Sequence, residues 1–416
     1  MTKGHVMRPR IPLLIATVAA VTVALVPGQA AAAPSAAPSA GADGFVAPLH
    51  LSSMQLDAAD QAKLDAITAH LPADWQQRLA RFHSQTGVGQ SNAEQAVAGV
   101  IDPTQYECQP TAFSNYVDSL IADVDLGTLF ILVILGVLDY PTYDALFFGT
   151  PKNTEDYGLP AGYKAPVTQA VKGSQKFWDV DLFDVKTMAM QNDMLTDQAR
   201  VSRIIGVLFG VDQAEADETA ALVEEVLNES PALDGGRNPI FTLNAFAFSA
   251  EGETDPIFQG IPDKMVFGEG LGNALDALGL GVPAAKGVIG HEMAHHVQYE
   301  QGYFDSPLTG PEATRRTELM ADSFGTYFVS HKRGMNLKGA NLHKAEQAFY
   351  EVGDCSFDSN GHHGTPNQRL KASIWGADQA AKQSAPFPIL ASDTLFNRFE
   401  KKLPNLVKPD AKTPAA

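Results

Sequence analysis

At 416 residues, with 45% hydrophobic and 19% charged, the chain has the composition of a globular protein able to bury a sizeable core, and wholesale disorder is excluded. Its formal charge of −18 argues against a general nucleic-acid binder, because phosphate recognition needs clustered Lys and Arg. Length alone allows two or three domains.

The N-terminus reads as an export signal. Lys3, Arg8 and Arg10 precede an apolar run over residues 11–26, and Ala30 to Ala33 offer A-x-A cleavage sites. Residues 1–30 are expected to be removed, and no cysteine near that point supports a lipid anchor. Their loss leaves 27 basic against 48 acidic residues, a mature charge of −21 for a secreted protein. Residues 31–44, rich in Ala, Pro, Ser and Gly, read as a disordered leader.

Residues 45–237 are expected to form a helical N-terminal region whose role the sequence leaves open. From Asp57 to about Val100 the pattern is helical, with Leu64, Ile67 and Leu71 on one face and Pro72 opening a second segment. The apolar stretch 129–138 is bracketed by Asp125 and Asp139 and falls well short of the ~20 residues a bilayer span needs, so it is expected in the core. Pro141, Pro151, Pro160 and Pro166 are expected to interrupt any long element across 139–166. Residues 212–228 read as an amphipathic helix.

The chemistry-bearing residues lie between 240 and 370. His291-Glu292-Met293-Ala294-His295 matches H-E-x-x-H, and on a helix positions i and i+4 share a face, so both imidazoles can reach one zinc ion. Glu292 then sits beside the metal, placed to take a proton from water. Pro283 marks the start of that helix. A catalytic zinc needs a third protein ligand and an open position. The metzincin continuation fails, since Gln298 and Gln301 occupy the places of its Gly and His, and the inverted H-x-x-E-H form is absent.

Downstream, Glu318-Leu319-Met320-Ala321-Asp322 sets a Glu and an Asp four apart on a helix expected over 312–332, with Gly334 as its terminator. Glu318 is the expected third ligand, with Glu312 and Glu300 as alternatives. Asp322 is expected to accept a hydrogen bond from the far ring nitrogen of a zinc-binding His.

H-E-M-A-H followed by E-L-M-A-D resembles the gluzincin metallopeptidases, whose third ligand is a Glu on a second helix. Asn244-Ala245-Phe246-Ala247 looks like the edge-strand N-A-F motif of thermolysin-type enzymes, a strand that pairs with the substrate backbone. Lys264-Met265-Val266-Phe267 resembles the last strand before the active-site helix, and His363-Gly364-Thr365 with Gln368-Arg369 is similar to a stretch of the bacterial neutral zinc metallopeptidases. The resemblance covers about residues 238–375, a third of the chain. It implies an α+β, mainly helical fold with a zincin-like core. In such a core a small mixed β-sheet lies over an active-site helix carrying H-E-x-x-H, and a second helix carries the Glu ligand. A catalytic domain is expected over 238–385, with Asn244 and Ala245 as substrate contacts and zinc as cofactor.

Thr365, Pro366, Asn367 and Gln368 form a capping box that begins a helix carrying Leu370, Ile374 and Trp375 and leaves His363 on the loop before it. His363 is a candidate transition-state donor, with His362, His331 and Tyr303 as alternatives; His296, off the ligand face, is expected to be structural. Residues 386–416 form a C-terminal segment expected to fray from Lys401 onward. The two cysteines, Cys108 and Cys355, lack the close spacing of a metal or redox pair and read in an exported chain as one long-range disulfide.

The expected activity is that of a secreted zinc metallopeptidase, an endopeptidase rather than an exopeptidase, acting on proteins or peptides. It has no nucleic-acid partner and no membrane span after cleavage. A cell-wall amide hydrolase and a non-catalytic zinc interaction protein are the alternatives.

Overall fold

The computed structural model describes residues 56–86, 97, 110–149, 159, 161–251, 253, 255–355, 357 and 360–408. The expected signal, the leader and Cys108 lie outside the described residues, as do 87–96 and 98–100 of the N-terminal helical stretch.

Aspartates start most of the early helices. Asp57 caps α1 (Ala58–Thr68), Asp125 caps α4 (Leu126–Ile134), Asp197 caps α7 (Gln198–Phe209) and Asp212 caps α8 (Gln213–Glu229), each accepting from free backbone N–H groups of the first turn. Thr111 does the same for α3 (Ala112–Ile121). Between these lie α2 (Trp75–Gln85), α5 (Tyr140–Phe147) and α6 (Ala161–Phe177). Leu71 and Pro72 fall in the turn between α1 and α2.

The proline expectation for 139–166 fails at two points. Pro141 opens α5, where its missing N–H costs nothing, and Pro166 lies inside the 17-residue α6, which continues past it. The apolar α4 is buried at Leu129, Phe130, Ile131 and Leu132. No single described helix is long and apolar enough to cross a membrane, and α4 meets the next helical segment at a 65° bend.

The sheet has three strands, β1 (Lys186–Met190), β2 (Ala245–Phe248) and β3 (Lys264–Gly268), in the order β1-β3-β2. β1 runs parallel to β3 with Lys186 opposite Lys264, and β2 runs antiparallel with Ala245 opposite Phe267. It is thus a small mixed sheet in a mainly helical protein, and it draws strands from both sides of the boundary expected at residue 237. Lys264 begins the central strand fully buried, its ammonium donating to the carbonyls of Ala145, Leu146 and Gly149 at 2.9, 2.6 and 2.6 Å. Two of these carbonyls lie in the last turn of α5 and the third just beyond it, so the charge sits where a helix C-terminus favours a cation.

After β3 come α9 (Glu269–Ala277), α10 (Gly281–Gln301), α11 (Pro311–Ser330), α12 (Ala340–Glu351), α13 (Pro366–Ala381) and α14 (Ser392–Leu406). α10 packs on β2, β3 and α6, with α11 and α12 beside it, and α13 packs on both α11 and α12. Pro283 falls within the first turn of α10, at the expected helix start. α11 stops at Ser330, short of Gly334, because His331 turns extended. The expected fraying from Lys401 is also corrected: α14 runs to Leu406, with Leu403 and Leu406 buried.

Two close approaches fix the three helices around the site. A Cβ on Gly325 of α11 would lie 2.6 Å from the His291 nitrogen and 2.7 Å from the Gly290 carbonyl carbon of α10. A Cβ on Gly376 of α13 would lie 2.0 Å from the Ser323 carbonyl oxygen of α11. Any larger residue at either place would push the helices apart.

Candidate metal centre

α10 is buried over most of its surface, so several of its polar residues, His291, Glu292, His296 and Gln298 among them, lie in the interior. His291 and His295 lie one turn apart, with Nε2 atoms 3.0 Å from each other, and His291, Glu292 and His295 can bring one ligand atom each within 4.8 Å of the others. Glu318 on α11 faces both rings. Its two oxygens stand 3.4 Å from His291 Nε2 and 3.4 Å from His295 Nε2.

The far side of each ring is held. His291 Nδ1 donates to Asp322 Oδ1 at 2.8 Å, where Asp322 is fully buried. Glu318 and Asp322 are one helical turn apart, so one face of α11 brackets His291 at both nitrogens. His295 Nδ1 is 2.8 Å from Gln298 Oε1. The Gln298 amide nitrogen donates to the Thr317 carbonyl at 2.9 Å, which fixes the amide with its oxygen toward the ring. In its neutral form His295 therefore carries its proton on Nδ1, like His291, and both Nε2 atoms are turned toward each other and toward Glu318.

Two bare ring nitrogens and a carboxylate at such distances repel unless a positive charge sits among them. The titration behaviour follows. Burial opposes charge on His291, yet the hydrogen bonds and charges of Asp322 and Glu318 push its pKa up to about 10. Burial likewise opposes charge on Glu318, but His363, His295 and His291 hold it well below the usual carboxylate range. A cation with nitrogen and oxygen preferences satisfies the same demand, so the residues fit a zinc ion. Glu292 is buried beside them, and burial raises its pKa.

The other candidates are sorted by what they touch. Glu312 is 54% exposed and pairs with Arg315, and Glu300 is exposed, so neither reaches the imidazoles as Glu318 does. His296 Nε2 meets the Lys264 carbonyl at 3.0 Å, tying α10 to β3. Tyr303 donates to Asp393 at 2.7 Å and stacks on Phe396. His331 accepts from the Arg333 N–H at 3.0 Å and packs on Phe177 and Tyr327.

His362 and His363 share Asp354. Asp354 Oδ1 is 2.6 Å from His362 Nδ1, and Oδ2 accepts from the His363 N–H at 2.7 Å with the ring Nδ1 at 3.4 Å. Burial opposes ionisation of Asp354, but the two histidines hold it far below its usual range. His363 is the partly exposed one of the pair. Burial opposes its charge, and Glu318 and Asp354 raise its pKa.

Asn244 and Ala245 lie half-buried at the start of β2, the outer strand beside α10, and the Asn244 carbonyl accepts from the Gly268 N–H at 2.9 Å.

Two side chains belong to the site that sequence reasoning gave no role. One is Gln298, noted only as the wrong residue for a metzincin. The other is Arg369, whose Nε and Nη2 donate to Asp322 Oδ2 and Oδ1 at 2.9 and 2.7 Å and whose Nη2 is 3.6 Å from Glu318 Oε2. α13 begins with the expected capping box of Thr365 and Gln368 behind Pro366. Its buried face, however, is Gln368, Arg369, Ala372, Ser373 and Gly376, while Ile374 is 42% exposed. Comparison of the chain with family models, curated proteins and solved structures returned no match.

Proposed function

We propose that this chain is a secreted zinc-dependent metallopeptidase with a zincin-like core, in which His291, His295 and Glu318 hold the ion. One observation carries the reading: two imidazole Nε2 atoms 3.0 Å apart, each ring held from behind at Nδ1, face one carboxylate with a buried glutamate alongside. Zinc held there would act as a Lewis acid that polarises the scissile carbonyl and acidifies the attacking water.

The remaining work belongs to the chain. Glu292, with its pKa raised by burial, takes the proton of the attacking water and passes it to the leaving amine. Asp322 and Gln298 keep both histidines in the tautomer that leaves Nε2 free. His363, anchored by Asp354 and with its pKa raised by Glu318 and Asp354 against the effect of burial, is the donor available for a developing oxyanion. The outer strand β2, with Asn244 and Ala245, holds an extended peptide by strand addition.

The retained Glu292 speaks against a non-catalytic zinc protein, and a cell-wall amide hydrolase would use the same residues on another substrate. Purified protein is tested on casein and on isolated cell-wall material, with chelator and after zinc is restored. Chelator-sensitive peptide release from casein is the expected result. Release from wall material alone moves the substrate class, and no hydrolysis of either overturns the enzyme reading.

A further inference from the structure

Arg369 is 4% exposed, and its bidentate fork is given wholly to one carboxylate, that of Asp322. The local sequence spends several devices on holding it there. The Thr365 capping box and Pro366 fix where α13 begins, three residues before Arg369. Gly376 lets α13 close on the Ser323 carbonyl, and Ser323 Oγ donates to the Ala372 carbonyl at 3.0 Å, setting the register of the two helices. The guanidinium meets Asp322 edge-on, and two parallel N–H···O bonds fix the carboxylate plane, which a single bond to an imidazole does not.

We propose that Arg369 is a positioning residue for the metal centre: it orients Asp322 so that Oδ1 accepts from His291 Nδ1 and His291 Nε2 is aimed at the point shared with His295 and Glu318. The inference rests on the zinc reading above. Charge supports it. Glu292, Glu318 and Asp322 bring three buried negative charges, and Arg369 with a divalent cation brings three positive ones, so the cluster closes neutral. The contact of Arg369 with Glu318 is 3.6 Å, longer than a hydrogen bond, so the action on the site runs through Asp322.

The test uses Arg369→Lys, which keeps the charge and removes the fork, with zinc affinity of the full-length protein read by competition against a chromophoric chelator. Zinc binding is expected to weaken about 10–100-fold, as for other partners behind a metal-bound histidine. In an Asp322→Asn background the same substitution is expected to change affinity by less than about twofold, because its target is gone. A lysine variant within about twofold of the parent, or a full loss that persists in the Asp322→Asn background, overturns the proposal. Should the lysine variant fail to fold, Asp322→Glu moves the carboxylate off the fork while keeping both charges. The same weakening is then expected, and unchanged affinity overturns the proposal. A parent protein that binds no zinc overturns the metal reading itself; a parent that binds tightly beside an indifferent variant overturns only the role of Arg369.

Discussion

His291 Nδ1 and Asp322 Oδ1 stand 2.8 Å apart, joining the helix that carries H-E-x-x-H to the helix that carries E-L-M-A-D. Glu318, one turn before Asp322, reaches the other nitrogen of the same ring at 3.4 Å. One helical repeat on α11 thus supplies both the carboxylate that faces Nε2 and the contact that aims the ring.

Glu292→Gln removes the proton acceptor and leaves both histidines and Glu318 untouched. Hydrolysis is expected to fall about 10²–10⁴-fold with zinc content unchanged, since general-base catalysis contributes on that scale. Steady-state kinetics beside atomic absorption decides it, and activity within tenfold of the parent would sink the assignment.

Glu318→Ala is expected to lower zinc stoichiometry and activity together. Glu312→Ala and Glu300→Ala, which alter exposed carboxylates on the same two helices, are expected to retain zinc. Full occupancy in the Glu318 variant would place the third ligand elsewhere.

Acid should loosen the loop before α13. Asp354 is held below its unfolded pKa by His362 and His363, so its contribution is present above that unfolded value of about 3.9 and is lost as pH falls toward the folded one. Asp354→Asn should flatten the fall in melting temperature between about pH 5 and pH 2 relative to the parent. Parallel curves for the two proteins would remove Asp354 from that role.

Cys355 is in a disulfide, and the chain's only other cysteine is Cys108. Just beyond Cys108 in the sequence, Thr111 Oγ1 donates to the Glu351 carbonyl at 2.7 Å and the Phe113 N–H to the Glu351 carboxylate at 3.0 Å, so α3 already docks where α12 ends. Reduction is expected to cost about 2–4 kcal/mol and to lower the melting temperature while zinc stays bound. Thiol titration of the denatured, unreduced protein should find none, and two per chain would rule out the intramolecular bridge.

The sequence made the centre of the site readable because H-E-x-x-H and E-x-x-x-D are helical repeats, and a four-residue spacing means one face wherever a helix forms. Its supports were not readable, because Arg369 meets Asp322 across 47 residues and nothing local announces the meeting. The sequence likewise named Leu370, Ile374 and Trp375 on α13 without telling which face is buried, and Ile374 is 42% exposed. Apolar periodicity assumes a core that wants hydrocarbon, whereas the core beneath α13 holds a carboxylate that needs a partner. Pro166 misled for a different reason, since the rest of α6 compensates for the one hydrogen bond that proline forgoes. β1 was missed because K-T-M-A-M has no alternation, as expected for a strand with little solvent-facing surface.

The contact between Gly290 and Gly325 has a consequence for recognising kindred chains. Glu318 can meet two imidazoles on a neighbouring helix only if the backbones come close, and here two hydrogen atoms in place of methyl groups provide that closeness. A search signature for such sites is therefore longer than the two histidines and the glutamate alone. It reads a glycine immediately before the first histidine and another two turns after the glutamate that faces both rings, so a distant sequence keeping both spacings would announce the same crossing of helices even where everything outside the crossing has drifted beyond alignment.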